Sequence, residues 1–326
     1  MRAIVVTNEN PLWTCIFSDI NLSDNIQVYP YNDQWSDKLG LLLFKICCNH
    51  YAYHLLRNVW FQYILARWRI KDHRDSCILF LNPVLRNVDP SFLDYLRMKH
   101  ICYGLLFVDT LSCLGDAELK RIQPALSHFL PRRIYSYDKK EAEAHEWVHT
   151  YCYYSTEKRV QPDSSPKMDV FLALYDKGRA ETAVLIYDCL KEKGIRCSFY
   201  ISGVSEQFAS ANIRSGITYN RTLSYEEIIE QVYNCNVLLE ICQPGQFSHT
   251  LRTYESICYN KKLLTNNQNI TAFPFYNAEY VRTFSDIFEI DNIPVQFFTQ
   301  RDGIDFKYDG RFSPRILIED LMNQNG

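Results

Sequence analysis

The sequence lacks several features that mark particular classes of protein. None of its twelve cysteines stands three positions from another, so the C-x-x-C spacing of zinc ribbons and thioredoxin-type sites is absent. Its apolar runs fall short of the roughly 18 residues that span a bilayer. Eleven glycines and twelve prolines in 326 residues exclude a collagen-like or low-complexity chain. We therefore expect a globular protein whose cysteines are small buried side chains in a reducing compartment.

The net charge and the first residues indicate which partners and which cellular compartment to expect. The net charge is −3 at pH 7 and no nucleic-acid recognition motif is present, so no nucleic acid is expected as a partner. Residues 3–6 form an apolar run directly after Met1-Arg2, which is typical of a buried strand rather than of a secretory leader. The expected compartment is the cytoplasm.

Length and composition predict two domains. With 47% apolar residues, a chain of 326 residues can bury a sizeable core, and domains of about 100–200 residues suggest two of them. Residues 156–168 have few apolar side chains, two prolines and two adjacent serines, which is typical of a linker. We expect an N-terminal domain over 1–155 and a C-terminal domain over 169–326, with the last helix able to pack back on the N-terminal domain.

The C-terminal half alternates between short apolar runs and helical patterns. The predicted helices are 180–193, which ends at Gly194, a helix capped by Ser224 in an S-x-x-E capping box, and 251–259. Such alternation requires right-handed crossovers and gives a parallel, doubly wound sheet. The predicted strands of this half are 170–175, 197–201, 217–220, 237–241 and 262–265.

The N-terminal half shows the same alternation, with long aromatic helices between its strands. A last helix is predicted over 314–322. The fold class is therefore α/β, and two Rossmann-like domains facing each other across a cleft is the simplest architecture. The predicted strands of this half are 3–7, 77–81, 103–108 and 133–137.

The segment 239–255 has the strongest chemical signal. A strand ends, a loop with Pro244-Gly245 follows, and small hydroxyl residues open a helix. The exposed N–H groups and positive end of such a helix suit a diphosphate, and Arg252 can neutralise phosphate charge with a rigid fork of donors. Glu255 lies three residues later on the same side of the helix, where a carboxylate can accept two hydrogen bonds from a ribose diol. An ordinary capped helix with a surface Arg–Glu pair is the alternative.

Five stretches of the C-terminal half follow one another in a characteristic order. They are Asp176-Lys177-Gly178-Arg179 after a strand, 187–195, Ser224-Tyr225-Glu226-Glu227, 239–255 and 260–267. This order resembles bacterial polysaccharide-biosynthesis glycosyltransferases of the GT-B fold, which belong to capsule, O-antigen and lipopolysaccharide gene clusters. The resemblance is good over about 168–270 and weaker at 135–142 and around Asp109. It implies a nucleotide-sugar donor in the C-terminal domain and a glycan or polyprenyl-linked acceptor bound mainly by the N-terminal one.

Carried over by position, the resemblance assigns donor-binding roles in the C-terminal half. It places Glu255 at the ribose and the loop Lys177-Gly178-Arg179 at the cleft, with Lys177 or Arg179 near phosphate. A plain strand-to-helix turn is the alternative for that loop. His249 lies in the donor loop, where a structural role is the alternative to a chemical one. The residues implied to face the donor diphosphate are Ser248, Thr250 and Arg252.

The stereochemistry of transfer depends on two glutamates. The common retaining pattern of the family places two Glu eight positions apart, whereas Glu240 and Glu255 are fifteen apart. We therefore favour inversion, which needs a base for the acceptor hydroxyl. Asp109 ends an apolar run and is the first candidate for that base, with a helix N-cap as its alternative role. Asp138 ends the next predicted strand and is the second candidate, and Asn10, after the first strand, also belongs at the cleft.

No metal and no cofactor are expected. The metal-dependent alternative, the GT-A fold, expects a D-x-D motif after a strand. No strict D-x-D occurs, and the nearest pattern, Glu289-Ile290-Asp291, comes late in the chain. Without a divalent ion, helix N–H groups and arginine must stabilise the charge of the leaving group.

The N-terminal segment 41–71 stands out by charge. It contains five Lys or Arg and no Asp or Glu, together with seven aromatic side chains. Basic and aromatic residues at helical spacing can lie in an anionic membrane interface, which would suit a lipid-linked acceptor and a peripheral position on the inner face of the cytoplasmic membrane. A buried amphipathic helix of the N-terminal core with a solvated basic rim is the alternative.

These observations favour a GT-B glycosyltransferase that moves a sugar from a nucleotide-diphosphate sugar to a hydroxyl of a growing surface glycan, without metal and with inversion. Two alternatives stay open because fold alone does not fix function. One is a nucleotide-sugar epimerase of the two-domain hydrolysing type, which needs no acceptor. The other is a non-catalytic scaffold that has kept the fold and lost the site.

Overall fold

The chain divides into two α/β units. One comprises 1–157 together with 312–326, and the other comprises 158–311. Most of the linker predicted over 156–168 lies outside the described residues. In the computed structural model the described residues are 2–10, 12–20, 25–31, 37–47, 50–70, 75–111, 114–156, 167–243, 248–300 and 303–324.

The first unit is built on a parallel sheet. Its strands are β1 (Arg2–Thr7), β2 (Ile26–Pro30), β3 (Ser76–Leu81), β4 (Cys102–Phe107), β5 (Ile134–Ser136) and β6 (Val148–His149). Their order is β2-β1-β3-β4-β5-β6 within the described part of the chain. The chain runs from β1 to β2 on one side and reaches β3 on the other, so the topological switch point lies between β1 and β3.

Helices cover this sheet, which is why β3 and β4 are buried at every position. They are α1 (Leu12–Ile16), α2 (Lys38–Cys47), α3 (His50–Arg67), α4 (Pro90–Met98), α5 (Asp116–Leu126) and α6 (Lys139–Ala144). The second half of α3 is core: Phe61 packs on Phe92 with ring centroids 5.2 Å apart. Trp68, just beyond α3, packs on the same ring at 5.9 Å. The buried alternative for the segment 41–71 is thus confirmed for its second half. Among the described helices, none is long and apolar enough to cross a bilayer.

The second unit has a parallel sheet with the Rossmann strand order. Its strands are β7 (Val170–Tyr175), β8 (Cys197–Ser202), β9 (Ile217–Tyr219), β10 (Val237–Glu240), β11 (Lys262–Thr265) and β12 (Val281–Thr283). The order is β12-β11-β10-β7-β8-β9 in the residues described. The chain moves outward from β7 through β8 to β9 and then returns to β10 beside β7. The switch point of this unit therefore lies between β7 and β10.

Capped helices connect these strands. They are α7 (Ala180–Glu192), α8 (Glu206–Ala211), α9 (Tyr225–Tyr233), α10 (Leu251–Cys258), α11 (Ile287–Asp291) and α12 (Val295–Thr299). The predicted capping box at the start of α9 is confirmed: the Glu227 amide donates to the Ser224 hydroxyl at 3.2 Å, and the Ser224 amide donates to the Glu227 carboxylate at 2.8 Å. This reciprocal pair fixes where α9 begins.

A final helix, α13 (Pro314–Asn323), belongs to the first unit although the second unit precedes it in the chain. The Tyr135 hydroxyl donates to the Asp320 carboxylate at 2.9 Å. A Cβ added to Gly104 in β4 would lie 2.9 Å from the Leu321 side chain and 3.0 Å from the Arg133 carbonyl oxygen. Glycine is therefore required at 104, because only a strand without a side chain there admits α13 so closely.

The α/β class and the parallel sheets predicted from the sequence are confirmed. The predicted strands 170–175 and 262–265 coincide with β7 and β11. The elements that periodicity missed are short, and three of them, β2, β6 and β12, are strands at the edges of the sheets. β6 and β12 have only two and three residues, and β2 has five but buries only the first, so each buries too few apolar side chains to produce a pattern that differs from that of a loop.

One buried carboxylate joins the amino ends of three neighbouring strands in the second unit. Asp169, directly before β7, is 3% exposed. Its carboxylate accepts from the Arg196 amide at 2.9 Å and from the Arg196 guanidinium at 3.0 and 2.8 Å. Asn236, directly before β10, donates to it at 3.4 Å. Because Arg196 precedes β8, the carboxylate holds the starts of β7, β8 and β10 in register.

Replacing this carboxylate tests its contribution to the fold. We expect Asp169→Ala to lower the free energy of unfolding by about 2 kcal/mol, because the buried Asn236 side chain and the Arg196 amide lose a charged acceptor. The measurement is urea denaturation followed by circular dichroism. Glu143→Ala is the matched control, since the Glu143–Lys139 pair is exposed on both sides, and its loss should stay within about 0.5 kcal/mol. Equal losses for the two variants would contradict this role of Asp169.

Candidate functional site

A cavity of about 300 Å³ opens at the switch point of the second unit. The carboxyl ends of β7 and β10 form its floor, and the start of α10 forms one wall. In doubly wound sheets ligands bind at this position, because the loops that follow two neighbouring strands diverge there. The polar side chains that line the cavity are Arg179, Glu240, Thr250 and Arg252. The structure therefore brings together three residues that the sequence assigned to the donor and one glutamate that it considered for stereochemistry.

The turn after β7 is held by its own side chains. The Asp176 carboxylate accepts from the amides of Arg179 at 2.9 Å and Ala180 at 2.8 Å, which caps α7. Lys177 and Gly178 both have positive φ, 42° and 83°, and both are exposed. A left-handed pair of this kind turns the chain sharply, and glycine takes the second position at no steric cost.

Arg179 braces this turn against the neighbouring strand. Its guanidinium donates to the backbone carbonyls of Tyr175 at 2.5 Å, Asp176 at 3.1 Å and Ile241 at 2.6 Å. The partial burial of Arg179 lowers its pKa below the ordinary value, and the three carbonyls offset the cost of burying the cation. Arg179 lines the cavity, but its donors are directed at backbone, so its geometry is that of a brace between β7 and β10.

Glu240 organises the other side of the cavity. Its carboxylate is 2% exposed and accepts hydrogen bonds from the hydroxyls of Thr250, Thr265 and Thr253, the last at 3.1 Å. These threonines stand at the N-cap of α10, at the end of β11 and inside α10. One carboxylate therefore fixes the ends of two strands and the start of a helix.

The hydroxyl of Thr250 is already engaged in the structure. It donates its proton to Glu240 and accepts from the Arg252 amide at 3.1 Å, as an N-cap residue does. The role of Thr250 toward phosphate stays a prediction, and binding through its hydroxyl proton would require that proton to leave Glu240.

Two asparagines anchor the loop between β10 and α10, of which residues 244–247 lie outside the described part. Asn266 accepts from the Cys242 amide at 2.6 Å and donates to the Cys242 carbonyl at 3.3 Å. Asn267 donates to the Ser248 carbonyl at 3.2 Å. Ser248 itself is buried, and the ring of His249 lies against Phe273 with centroids 4.3 Å apart. The donor-binding roles predicted for Ser248 and His249 are untested by these contacts, which show both residues packed at the start of α10.

Arg252 and Glu255 form an ion pair, as their spacing predicted. The Glu255 side chain is fully buried, and the Arg252 side chain is 13% exposed. Tyr225, the first residue of α9, donates its hydroxyl to the second Glu255 oxygen at 3.2 Å. The Arg252 guanidinium also lies 5.6 Å from the Phe171 ring centroid, a favourable cation–π distance. The capped helix and the Arg–Glu pair of the alternative are both present, but the pair is buried rather than at the surface and involves a third residue. The roles of Arg252 and Glu255 toward the donor stay predictions.

In the first unit the candidate base Asp109 follows β4 and is exposed. Its flanks are fixed by backbone hydrogen bonds: the Val108 amide donates to the Asn82 side chain at 2.9 Å, and the Leu111 amide donates to the Glu141 carboxylate at 2.6 Å. Burial and the negative charge of Asp109 raise the pKa of the Cys152 thiol to about 12. The role of Asp109 as a base stays a prediction.

Asp138 and Asn10 follow β5 and β1 at the same edge of this sheet. Asp138 is the N-cap of α6 and accepts from the Glu141 amide at 3.0 Å. Asn10 accepts from the Leu12 amide at 3.0 Å, at the start of α1. The parallel sheet thus gathers Asn10, Asp109 and Asp138 at its carboxyl edge, and two of the three side chains act as helix caps.

No role was predicted from the sequence for several residues of the site. Tyr225 and Thr265 contact Glu255 and Glu240 across 30 and 25 residues. The polar ending Thr265-Asn266-Asn267 after an apolar strand was the one available sign that β11 delivers functional side chains to this edge. Within the described residues, no group of three or more His, Cys, Asp or Glu is placed to hold a metal ion.

Comparison with known proteins identifies the fold. No protein-family profile matches the chain, and no curated protein matches it by sequence. The crystal structure of Anabaena HepE in complex with UDP and glucose is similar over 99% of both chains, with a TM-score of 0.60 and 10% identity. AviGT4, a glycosyltransferase involved in avilamycin A biosynthesis, is similar over 100% of this chain and 97% of its own, with a TM-score of 0.55 and 10% identity.

The apo structure of OtsA is similar over 100% of this chain and 96% of its own, with a TM-score of 0.50 and 11% identity. These likenesses extend over the whole chain, so the similarity is not confined to one nucleotide-binding unit. At identities near one in ten they establish the fold. The predicted GT-B fold is confirmed.

The buried ion pair generates a stability prediction. We expect Arg252→Met to lower the free energy of unfolding by about 3 kcal/mol, because it leaves the Glu255 carboxylate buried without its cation. Adding Glu255→Gln should recover much of this loss, since a neutral amide needs no counterion. Urea denaturation of the two single variants and the double variant measures the coupling. Additive losses would show that the two side chains do not interact in solution.

Proposed function

We propose that this protein is a glycosyltransferase that uses a nucleotide-diphosphate sugar. The observation that carries the proposal is the cavity at the β7–β10 switch point, where Arg252 and the amino end of α10 meet in a chain with the GT-B fold. A diphosphate needs cationic donors and oriented amides, and this cavity offers both. HepE, whose fold extends over the same length, binds UDP and glucose in its crystal structure, which supports a UDP-linked or related sugar as the donor.

Arg252 is the residue proposed to meet the diphosphate. Arg179 donates to three backbone carbonyls, whereas Arg252 pairs side chain to side chain with Glu255 and its side chain is 13% exposed. Glu255 is inaccessible to a ribose while Arg252 covers it. We therefore propose that Arg252 turns from Glu255 to the diphosphate when the donor binds, which frees Glu255 to accept from the ribose hydroxyls. Phosphate charge compensates Arg252 for the lost partner.

The acceptor is proposed to be a hydroxyl of a bacterial surface glycan, carried on a polyprenyl lipid, and this part rests on the sequence resemblance. Asp109 is the proposed base, because it is exposed and follows a strand at the carboxyl edge where ligands bind. Asp138 is the weaker candidate, since its carboxylate caps α6. Transfer with inversion then proceeds when Asp109 removes the acceptor proton as that oxygen attacks the anomeric carbon, and the bond from that carbon to the nucleoside diphosphate breaks on the opposite side.

A thermal-shift screen tests the donor class. UDP, GDP, CMP and dTDP and their sugars are added to the purified protein, and one nucleoside diphosphate is expected to raise the melting temperature by several degrees. At about 100 times the Kd, binding adds roughly 2.7 kcal/mol to stability. Arg252→Met, compared with its own unliganded melting temperature, should lose most of the shift.

The outcomes separate the classes of function. A protein that no nucleotide stabilises is a scaffold rather than an enzyme. Conversion of a nucleotide sugar in the absence of any acceptor identifies an epimerase. Nucleotide-dependent stabilisation with release of nucleoside diphosphate that depends on an added glycan identifies a transferase.

Paired aspartate variants test the base. Asp109→Asn is expected to slow transfer by about 10²–10⁴-fold while leaving the nucleotide-induced thermal shift intact, because the base acts in the chemical step and not in donor binding. Asp138→Asn keeps a capping side chain and is expected to retain turnover. Release of nucleoside diphosphate with a glycan acceptor measures both. The reverse pattern, with transfer lost only in Asp138→Asn, would assign the base to Asp138.

A further inference from the structure

The two helices α2 and α3 expose an unusual amount of apolar surface. Leu42 in α2 is 54% exposed, and Tyr51 and Leu55 in α3 are 82% and 83% exposed. We define the α2–α3 surface as these residues with their exposed apolar neighbours on the same helices. Its members are Leu39, Leu41, Leu42, Phe44, Tyr51, Leu55 and Val59.

This concentration is not matched elsewhere in the part of the chain that the structure describes. Sixteen large apolar side chains are exposed there, and seven of them belong to the α2–α3 surface. Scattered single apolar residues on a surface need no explanation, but a contiguous patch marks an interaction site. The helices contact each other, with the rings of Phe44 and Trp60 6.3 Å apart, so their exposed residues lie on neighbouring elements.

Helical spacing explains why the patch has one orientation along α3. Tyr51, Leu55 and Val59 follow one another at intervals of four residues and therefore share a face. The opposite face of the same helix holds Trp60, Phe61 and Ile64 in the core of the first unit. The helix is therefore apolar on both faces over part of its length, and only one of those faces is covered.

The charges of these helices have a single sign. Residues 38–67 contain four Lys or Arg and no Asp or Glu. Arg67 lies 3.5 Å from Asp37 at the far end of the pair of helices. Arg57 lies four residues before Phe61, on the covered face of α3. The other two cations, Lys38 and Lys45, stand on α2, which exposes four of the apolar residues. The α2–α3 surface is therefore apolar with two cations on α2.

We infer that the α2–α3 surface binds an anionic lipid bilayer. Its apolar side chains would enter the boundary between headgroups and acyl chains, and Lys38 and Lys45 would meet lipid phosphates. Charge decides between the two occupants that an apolar patch admits. A second copy of the chain would bring the like charges of Lys38 and Lys45 together, whereas an anionic membrane offers them opposite charge. This inference is independent of the donor site and stands whether or not the protein transfers sugars.

Vesicle co-sedimentation of the full chain tests the inference. The probes are vesicles of phosphatidylcholine alone and of phosphatidylcholine with about a third phosphatidylglycerol, a composition that gives a negative surface potential. Binding is expected to the anionic vesicles and should weaken as salt is raised, since part of the attraction is electrostatic. Absence of binding to the anionic vesicles at low salt would overturn the inference.

Substitution of the cations tests whether vesicle binding depends on this surface or on the positive side chains of the protein in general. The double variant Lys38→Gln and Lys45→Gln should bind anionic vesicles roughly 25-fold more weakly, because each cation near the surface contributes roughly five-fold. A matched control replaces exposed lysines of α5 and α7, namely Lys120→Gln and Lys191→Gln. The control should bind like the unchanged protein, and an equal loss in both double variants would overturn the inference.

Substitution of the apolar residues tests insertion. The pair Leu42→Gln and Leu55→Gln should weaken vesicle binding by at least roughly ten-fold, since each leucine loses the transfer of its side chain from water. Leu185→Gln is the matched control, because Leu185 is a leucine of α7 that is 60% exposed, and it should not change binding. Circular dichroism melting checks that all variants fold, as surface substitutions are expected to allow.

Sedimentation velocity tests the competing occupant. The unchanged protein and the variant with both Leu42→Gln and Leu55→Gln are expected to have the same sedimentation coefficient. If the unchanged protein is a dimer that this variant dissociates, and anionic vesicles do not compete with the dimer, the α2–α3 surface joins two copies and the inference is overturned. Nucleotide-induced thermal shifts of the same variants should match those of the unchanged protein, which keeps this test separate from that of the donor site.

Discussion

A buried carboxylate at the end of β10 determines the geometry of the second unit's ligand edge. Glu240 accepts from three threonine hydroxyls, which stand at the N-cap of α10, inside α10 and at the end of β11. A hydroxyl can donate and accept at once, so Thr250 passes the constraint from Glu240 to the first amides of α10. The orientation of α10, and with it that of Arg252 and Glu255, follows from the Glu240 carboxylate, which lines the cavity.

The two arginines that line the cavity, Arg179 and Arg252, have different roles. The Arg179 guanidinium donates hydrogen bonds to the backbone at the end of β7 and to the residue after β10. It therefore sets the distance between the carboxyl ends of these strands. Arg252 is paired side chain to side chain, and such a contact can be exchanged without moving the backbone. A rigid frame that carries one exchangeable cation combines preorganisation with a response to an anionic ligand.

The sequence predicted what depends on neighbouring residues and missed what depends on register. The cap at Ser224 and the Arg252–Glu255 pair lie within one helical turn, so spacing alone identified them. Glu240 faces Thr265 because β10 and β11 pair in a particular register, and that register results from packing of the whole sheet. Short edge strands such as β12 were missed for the same reason, since partners distant in the chain stabilise them. The segment 41–71 was ambiguous because it has both fates: its second half is core, and its first half is exposed.

The place of α13 in the first unit has a consequence for synthesis on the ribosome. The gap in the side-chain layer at Gly104 is filled by Leu321, which is translated after all 154 residues from 158 to 311. At about 5–20 residues per second, that interval lasts on the order of 8–30 s. During it the nascent first unit exposes an apolar stripe of β4 that its own early residues do not cover. The first unit therefore completes the side-chain layer over β4 only after the second unit has been translated.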